Sequence, residues 1–138
     1  MTTNGTLRFV NPATLAPPPG YTHVVVASGG RTIYVSGQVA LDAVGQVIGV
    51  GDVAAQARQV FENLRLALHA VGADLSDVVK LTTFVTDMAT ARPAFRAARD
   101  AVITDNPPAS TLVEVRRLFR DEFLIEMEAV AVLENASA

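Results

Sequence analysis

At 138 residues, 50% apolar and 18% charged, the chain has the composition of one globular domain, expected to span 1–138. A formal charge of −3 leaves no broad positive surface for nucleic acid, and no apolar run approaches the roughly 18 residues that cross a bilayer. The absence of cysteine excludes thiol nucleophiles, disulfides and thiolate metal sites, and Met1–Gly5 lacks a basic and apolar leader, so a soluble cytoplasmic protein without membrane partners is expected.

Pro17-Pro18-Pro19-Gly20 is the sharpest punctuation: three fixed φ angles and a glycine make a stiff, non-helical approach to Tyr21. His23 to Ala27 and Thr32 to Gln38 are rich in β-branched residues and flank Gly29-Gly30, which predicts a hairpin. Gly45 and Gly49 to Gly51 mark turns. From Val53 to Val71 the apolar positions Val53, Ala57, Val60, Phe61, Leu64, Leu68 and Val71 recur in steps of three and four, one stripe of a helix with Asp52 as N-cap and Gly72 at C′. Val78 to Thr86 reads as a strand, with Val79, Leu81, Thr83 and Val85 on one face. A second helix is expected to open near Pro93 and to end at Asn106-Pro107-Pro108. Thr111 to Val115 and Phe123 to Leu133 complete the order βββαβαββ, an α+β architecture with both helices on one face of a mixed sheet. The other, partly apolar face then needs a partner, and self-association is the simplest one.

Three segments carry a resemblance: Tyr34-Val35-Ser36-Gly37-Gln38, Pro108-Ala109-Ser110-Thr111-Leu112-Val113-Glu114-Val115 and Ile125-Glu126-Met127-Glu128-Ala129-Val130-Ala131-Val132. With Val53 to Val60, Asn63-Leu64 and Phe84 to Met88, they resemble the signature pieces of the Rid (reactive intermediate deaminase, YjgF-like) family, from about Tyr21 to Leu133. The resemblance implies a chorismate-mutase-like fold, a homotrimer with small-molecule sites between subunits, and hydrolysis of reactive imines and enamines without cofactor or metal. By the same resemblance Tyr21 and Ser36 line the pocket and Glu126 holds the catalytic water. Leu112 stands where cysteine or threonine is frequent. Ser110 replaces the arginine that pairs with the substrate carboxylate, and Phe95 replaces an asparagine, which marks a divergent subgroup. A serine hydroxyl cannot reproduce the planar, charged fork of a guanidinium.

The residues themselves add some chemistry. Glu126 and Glu128 share a strand face with apolar neighbours, so a carboxylate there is expected to be desolvated and suited to proton transfer, or else to serve structurally at a subunit contact. No base stands beside Ser36, so a binding or turn role is expected, not a nucleophile. His23 is a candidate proton donor, against the more ordinary reading of a surface strand histidine. Two histidines without a third spaced ligand do not make a zinc site. Arg92, Arg96 and Arg99 share a helical face, and Arg116, Arg117 and Arg120 cluster in the last turn; Arg116 is the first candidate for the displaced cation, against the ordinary reading of both arrays as solvated surface. Three functions follow: an imine or enamine deaminase of altered specificity, a non-catalytic metabolite-binding module, or an endoribonuclease and translation inhibitor. The last lacks a histidine pair for cleavage and an aromatic platform for bases.

Overall fold

The computed structural model describes residues 6–134, so the Met1–Gly5 segment lies outside the described residues. Its elements are β1 (Thr6–Val10), β2 (Val24–Ser28), β3 (Arg31–Gln38), α1 (Val53–His69), β4 (Val78–Val85), α2 (Met88–Val102), β5 (Ala109–Glu114) and β6 (Ile125–Leu133), with a 3-10 turn at Leu75–Asp77. This is the expected βββαβαββ order. Strands β3, β6, β4 and β5 form one mixed sheet in that spatial order, with β4 and β5 parallel and the other pairs antiparallel. Both helices cover one face. Phe61 of α1 stacks on Phe95 of α2 at 6.0 Å, above a floor of Leu81, Val85, Ile125, Met127, Ala129 and Ala131. The chain therefore has the expected α+β architecture, two helices packed on one face of a mixed sheet.

Local chemistry explains the helix ends. The Asp52 carboxylate accepts the Ala55 N–H at 3.0 Å and caps α1. At the other end Gly72 adopts φ 81°, while its N–H reaches the His69 carbonyl (3.2 Å) and the Ala73 N–H reaches that of Leu68 (2.9 Å), the Schellman pattern expected of a C′ glycine. The buried stripe of α1 includes Gln56 and stops at Leu68; Val71 is exposed.

Three expectations are corrected. Strands β2 and β3 do not form a hairpin: β2 pairs with β1, and β3 pairs with β6. At Gly30 (φ 72°) the chain turns onto β6 so closely that an added Cβ would stand 2.6 Å from the Leu133 carbonyl oxygen. Helix α2 begins at Met88, five residues before Pro93, because its first N–H is taken by the Glu114 carboxylate at 3.0 Å. Pro93 then sits inside the helix, at the cost of one backbone hydrogen bond. On β4, Val78 takes the core position predicted for Val79, since the pairing with β6 slips between Val78 and Lys80 and the extra residue inverts the alternation before Leu81.

Thr83 lies fully buried on the helix-covered face, and its hydroxyl has no hydrogen-bond partner among the described residues. Replacing it by the isosteric valine removes an unsatisfied polar group. Thr83→Val is expected to stabilise the fold by about 1 kcal/mol, read as an increased midpoint in urea denaturation with unchanged slope.

Candidate active site

The side chains singled out in the sequence fall into two groups on opposite faces of the same sheet. Ser110 and Leu112 stand opposite Leu81 and Thr83 of β4, which places them on the face covered by the helices. Phe95 reaches the same place from α2, and Tyr21 from the segment before β2, so these four line one cleft of about 450 Å³. What brings Tyr21 there is its neighbour. Buried Thr22 is sewn to the end of the proline pair: its N–H donates to the Pro108 carbonyl at 3.1 Å and its hydroxyl to that of Pro107. The stiff approach Pro17–Gly20 is thus fastened immediately before Ala109-Ser110.

Helix α2 supplies the charge of this cleft. Arg92, Arg96 and Arg99 lie at i, i+4 and i+7 and all three line it. Arg99 is only 8% exposed. Its guanidinium lies 5.6 Å over the Phe95 ring, meets Asp100 at 3.0 Å, and presses on Gly20, where an added Cβ would fall 2.3 Å from Nη2. Gly20 has φ 86°, a backbone conformation that favours glycine there.

Glu126 belongs to the other face. It stands opposite Phe84, and Glu128 opposite Thr82, across the β4–β6 pair. The β3 strand bulges between Val35 and Gln38, which brings Gly37 under the Glu126 carboxylate; a Cβ on Gly37 would meet Oε1 at 2.1 Å. Ser36 lies exposed on this bulge, with its carbonyl accepting from the Gln38 amide at 3.1 Å. Glu126, Gly37, Val39, Phe119 and Phe123 border a depression of about 230 Å³. Arg120 also borders it, but its guanidinium is held by Glu122 at 2.8 Å. Burial pushes the Glu126 carboxyl above the ordinary value of 4.5, and the negative charge of Glu128 adds to the rise.

His23 and Arg116, the other candidates, line neither depression of the single chain. His23 Nε2 lies 2.8 Å from the Ala16 carbonyl and its ring stands edge-on to Tyr21 at 5.3 Å, bracing the approach segment. Arg116 lies exposed beyond the end of β5 and borders neither depression. The cations beside Ser110 come from α2. Among the described residues no three His, Asp or Glu side chains are grouped to hold a metal.

Two residues with no assigned role in the sequence reading position the rest. Gln56, fully buried, donates to the carbonyls of Gly49 (3.0 Å) and Glu122 (2.8 Å) and accepts the Leu124 N–H (2.9 Å). Asn63 donates to the Val39 and Leu41 carbonyls, both at 2.9 Å. Together they hold the chain after Gly37 and the entry to Glu126 against α1. An amide on an otherwise apolar helical stripe was the available signal.

The family described as Endoribonuclease L-PSP matches residues 12–133, and the chain belongs to this family, the Rid or YjgF-like proteins. Among its relatives, the 2-iminobutanoate/2-iminopropanoate deaminase of Salmonella typhimurium is 38% identical over 106 residues, covering 75% of this chain and 80% of the relative. The 3-aminoacrylate deaminase RutC of Acinetobacter baylyi is 35% identical over 115 residues, covering 83% and 90%. The crystal structure of the Rid-family protein YyfB from Yersinia pestis superposes with a TM-score of 0.85 at 37% identity, covering 92% of this chain and 98% of that one.

Proposed function

We propose that the protein hydrolyses a small reactive imine or enamine, with Glu126 as the general base that activates water. The observation that carries this is the state of Glu126: a carboxyl with raised proton affinity, held over Gly37, with no hydrogen-bond partner among the described residues. Deaminase activity in the named relatives supports the same reaction class. An enamine is first protonated on carbon, and an imine on nitrogen, to give the iminium ion. Water then adds to the C=N carbon as its proton passes to Glu126 and the C–N π electrons become the nitrogen lone pair; Glu126 returns that proton to nitrogen, and the carbinolamine loses its hydroxyl proton as it collapses to a carbonyl compound and ammonia. Such a step needs orientation and proton transfer and no stronger catalyst.

Ser110 and Glu126 occupy opposite faces of one sheet, so a cleft containing both takes them from different copies. The uncovered face supports such association: it carries Tyr34, 80% exposed, with Phe84, Val113 and Val130. We assign a homotrimer, with Tyr21, Phe95, Ser110 and Leu112 of one subunit facing Ser36 and Glu126 of the next, and a cytoplasmic role in removing reactive metabolites.

The test is ammonia release from freshly generated 2-iminobutanoate, 2-iminopropanoate and a carboxylate-free imine, with sedimentation of the same sample. Turnover of at least one imine by a trimer is the expected result. A monomer would remove the shared cleft. Ligand binding without turnover of any imine would favour the metabolite-binding module, and RNA cleavage that persists through repurification would favour the endoribonuclease.

A further inference from the structure

The cleft beside Ser110 holds more positive charge than one carboxylate can balance. Arg92, Arg96 and Arg99 all line it, and no carboxylate does. Arg99 is offset by Asp100, whereas Arg92 and Arg96 make no ion pair among the described residues. Glu114, beside the start of α2, accepts the Met88 N–H at 3.0 Å and does not line the cleft. Like charges at i, i+4 also destabilise a helix, so Arg92 and Arg96 work against α2 itself unless an anion joins them.

We propose that Arg96, with Arg92 at the rim and buried Arg99 behind, binds the two carboxylates of a dicarboxylate imine or enamine, in place of the single arginine whose position Ser110 occupies. The proposal rests on the hydrolase reading and names its substrate class. A serine at position 110 leaves space above Phe95 that a long side chain would fill, and it removes a further cation from a site already carrying three. The planar forks of Arg92 and Arg96 suit bidentate contacts to carboxylates, and the walls formed by Met88, Phe95 and Leu112 accept the carbon stem. Arg99 acts as a positioning residue: its guanidinium, fixed over Phe95 and against Gly20, sets the back of the cleft.

The experiment is calorimetric titration of the full chain with 2-oxoglutarate, 2-oxobutanoate and inorganic phosphate, beside kinetics on a dicarboxylate and a monocarboxylate imine. Losing charge-assisted contacts to one carboxylate corresponds to about a ten- to hundredfold loss of affinity. We expect 2-oxoglutarate to bind at least about tenfold more tightly than 2-oxobutanoate, with Arg96→Ala cancelling that preference and Arg96→Lys restoring part of it. In turnover, Arg96→Ala is expected to raise KM for the dicarboxylate imine and to leave kcat nearly unchanged, which a general loss of structure would not do. Equal affinity for the two oxo acids, tighter binding of phosphate than of 2-oxoglutarate, or 2-oxoglutarate binding unaffected by Arg96→Ala would overturn the proposal. Binding requires no chemistry, so the two readings fail separately. Arg96-dependent 2-oxoglutarate binding without turnover of any imine sinks the hydrolase and keeps the anion site. Imine turnover indifferent to Arg96→Ala does the reverse.

Discussion

Glu126→Gln is expected to lower kcat for imine hydrolysis by about 100-fold or more, the usual scale of a lost general base, while making the fold more stable at neutral pH. The amide keeps the shape of the carboxylate over Gly37 but cannot take a proton from water. The stability gain follows from the direction of the shift. In the folded protein the Glu126 carboxyl is raised above 4.5, first by burial and then by Glu128. Between the ordinary value and the raised one, the folded state therefore binds more protons than the unfolded chain, and stability falls as pH rises through that window. Glu126→Gln removes this penalty, so its Tm should exceed that of the wild type at pH 7 and match it near pH 4. The same shift fixes the acid limb of the rate profile. A base must be deprotonated, so activity should fall as pH drops through a value above 4.5. Glu128→Gln withdraws the repulsive charge and should move that limb toward lower pH with the limb retained. An acid limb unmoved by Glu128→Gln, together with a kcat only about threefold reduced in Glu126→Gln, would show that Glu126 is not the base.

Much of this architecture is legible in the chain because local chemistry and tertiary packing agree. The α1 stripe as far as Leu68, its Asp52 cap and its Gly72 stop each rest on residues within one or two turns of one another, and these occur as the spacing demands. Pairing choices are different. Gly29-Gly30 is a good hairpin signal, yet β3 takes β6 as partner from nearly a hundred positions away, and no local pattern encodes that competition. The start of α2 was hidden for a similar reason. Pro93 marks a favoured helix entry, but the Glu114 carboxylate, remote in sequence, caps the chain earlier. A single extra residue at Val79 was enough to invert the predicted face of β4 upstream of Leu81. At the site, the motifs located Ser110, Glu126 and Tyr21, but not the relation between them. Parity along β5 and β6 looks alike in the sequence; only the register across β4 reveals that Ser110 and Glu126 point to opposite faces. The α2 arginines read as a solvated array because periodicity reports a shared face without saying what that face meets.

Gln56→Ala should produce the largest loss of stability of any single amide truncation in the chain, and it should reach the site as well. The side chain is wholly buried and makes three hydrogen bonds, to Gly49, Glu122 and Leu124, from segments far apart in sequence. Truncation leaves two carbonyls and one N–H without these partners and opens a cavity at the first turns of α1. At about 1 kcal/mol for each lost bond, before any term for the cavity, the expected destabilisation is about 3 kcal/mol or more. For a chain of this size that is a fall in Tm of roughly 10 °C. Leucine refills the volume without satisfying the backbone, so Gln56→Leu should recover only the packing part. The functional consequence comes through the Leu124 N–H, two residues before Glu126: without that anchor the entry to β6 loosens and the carboxylate is no longer held over Gly37. In the folded fraction of Gln56→Leu, kcat should therefore drop while 2-oxoglutarate binding at Arg96 is retained, because the α2 cleft lies on the other face of the sheet. A variant with unchanged Tm and unchanged kcat would mean that the three contacts neither support the fold nor position Glu126.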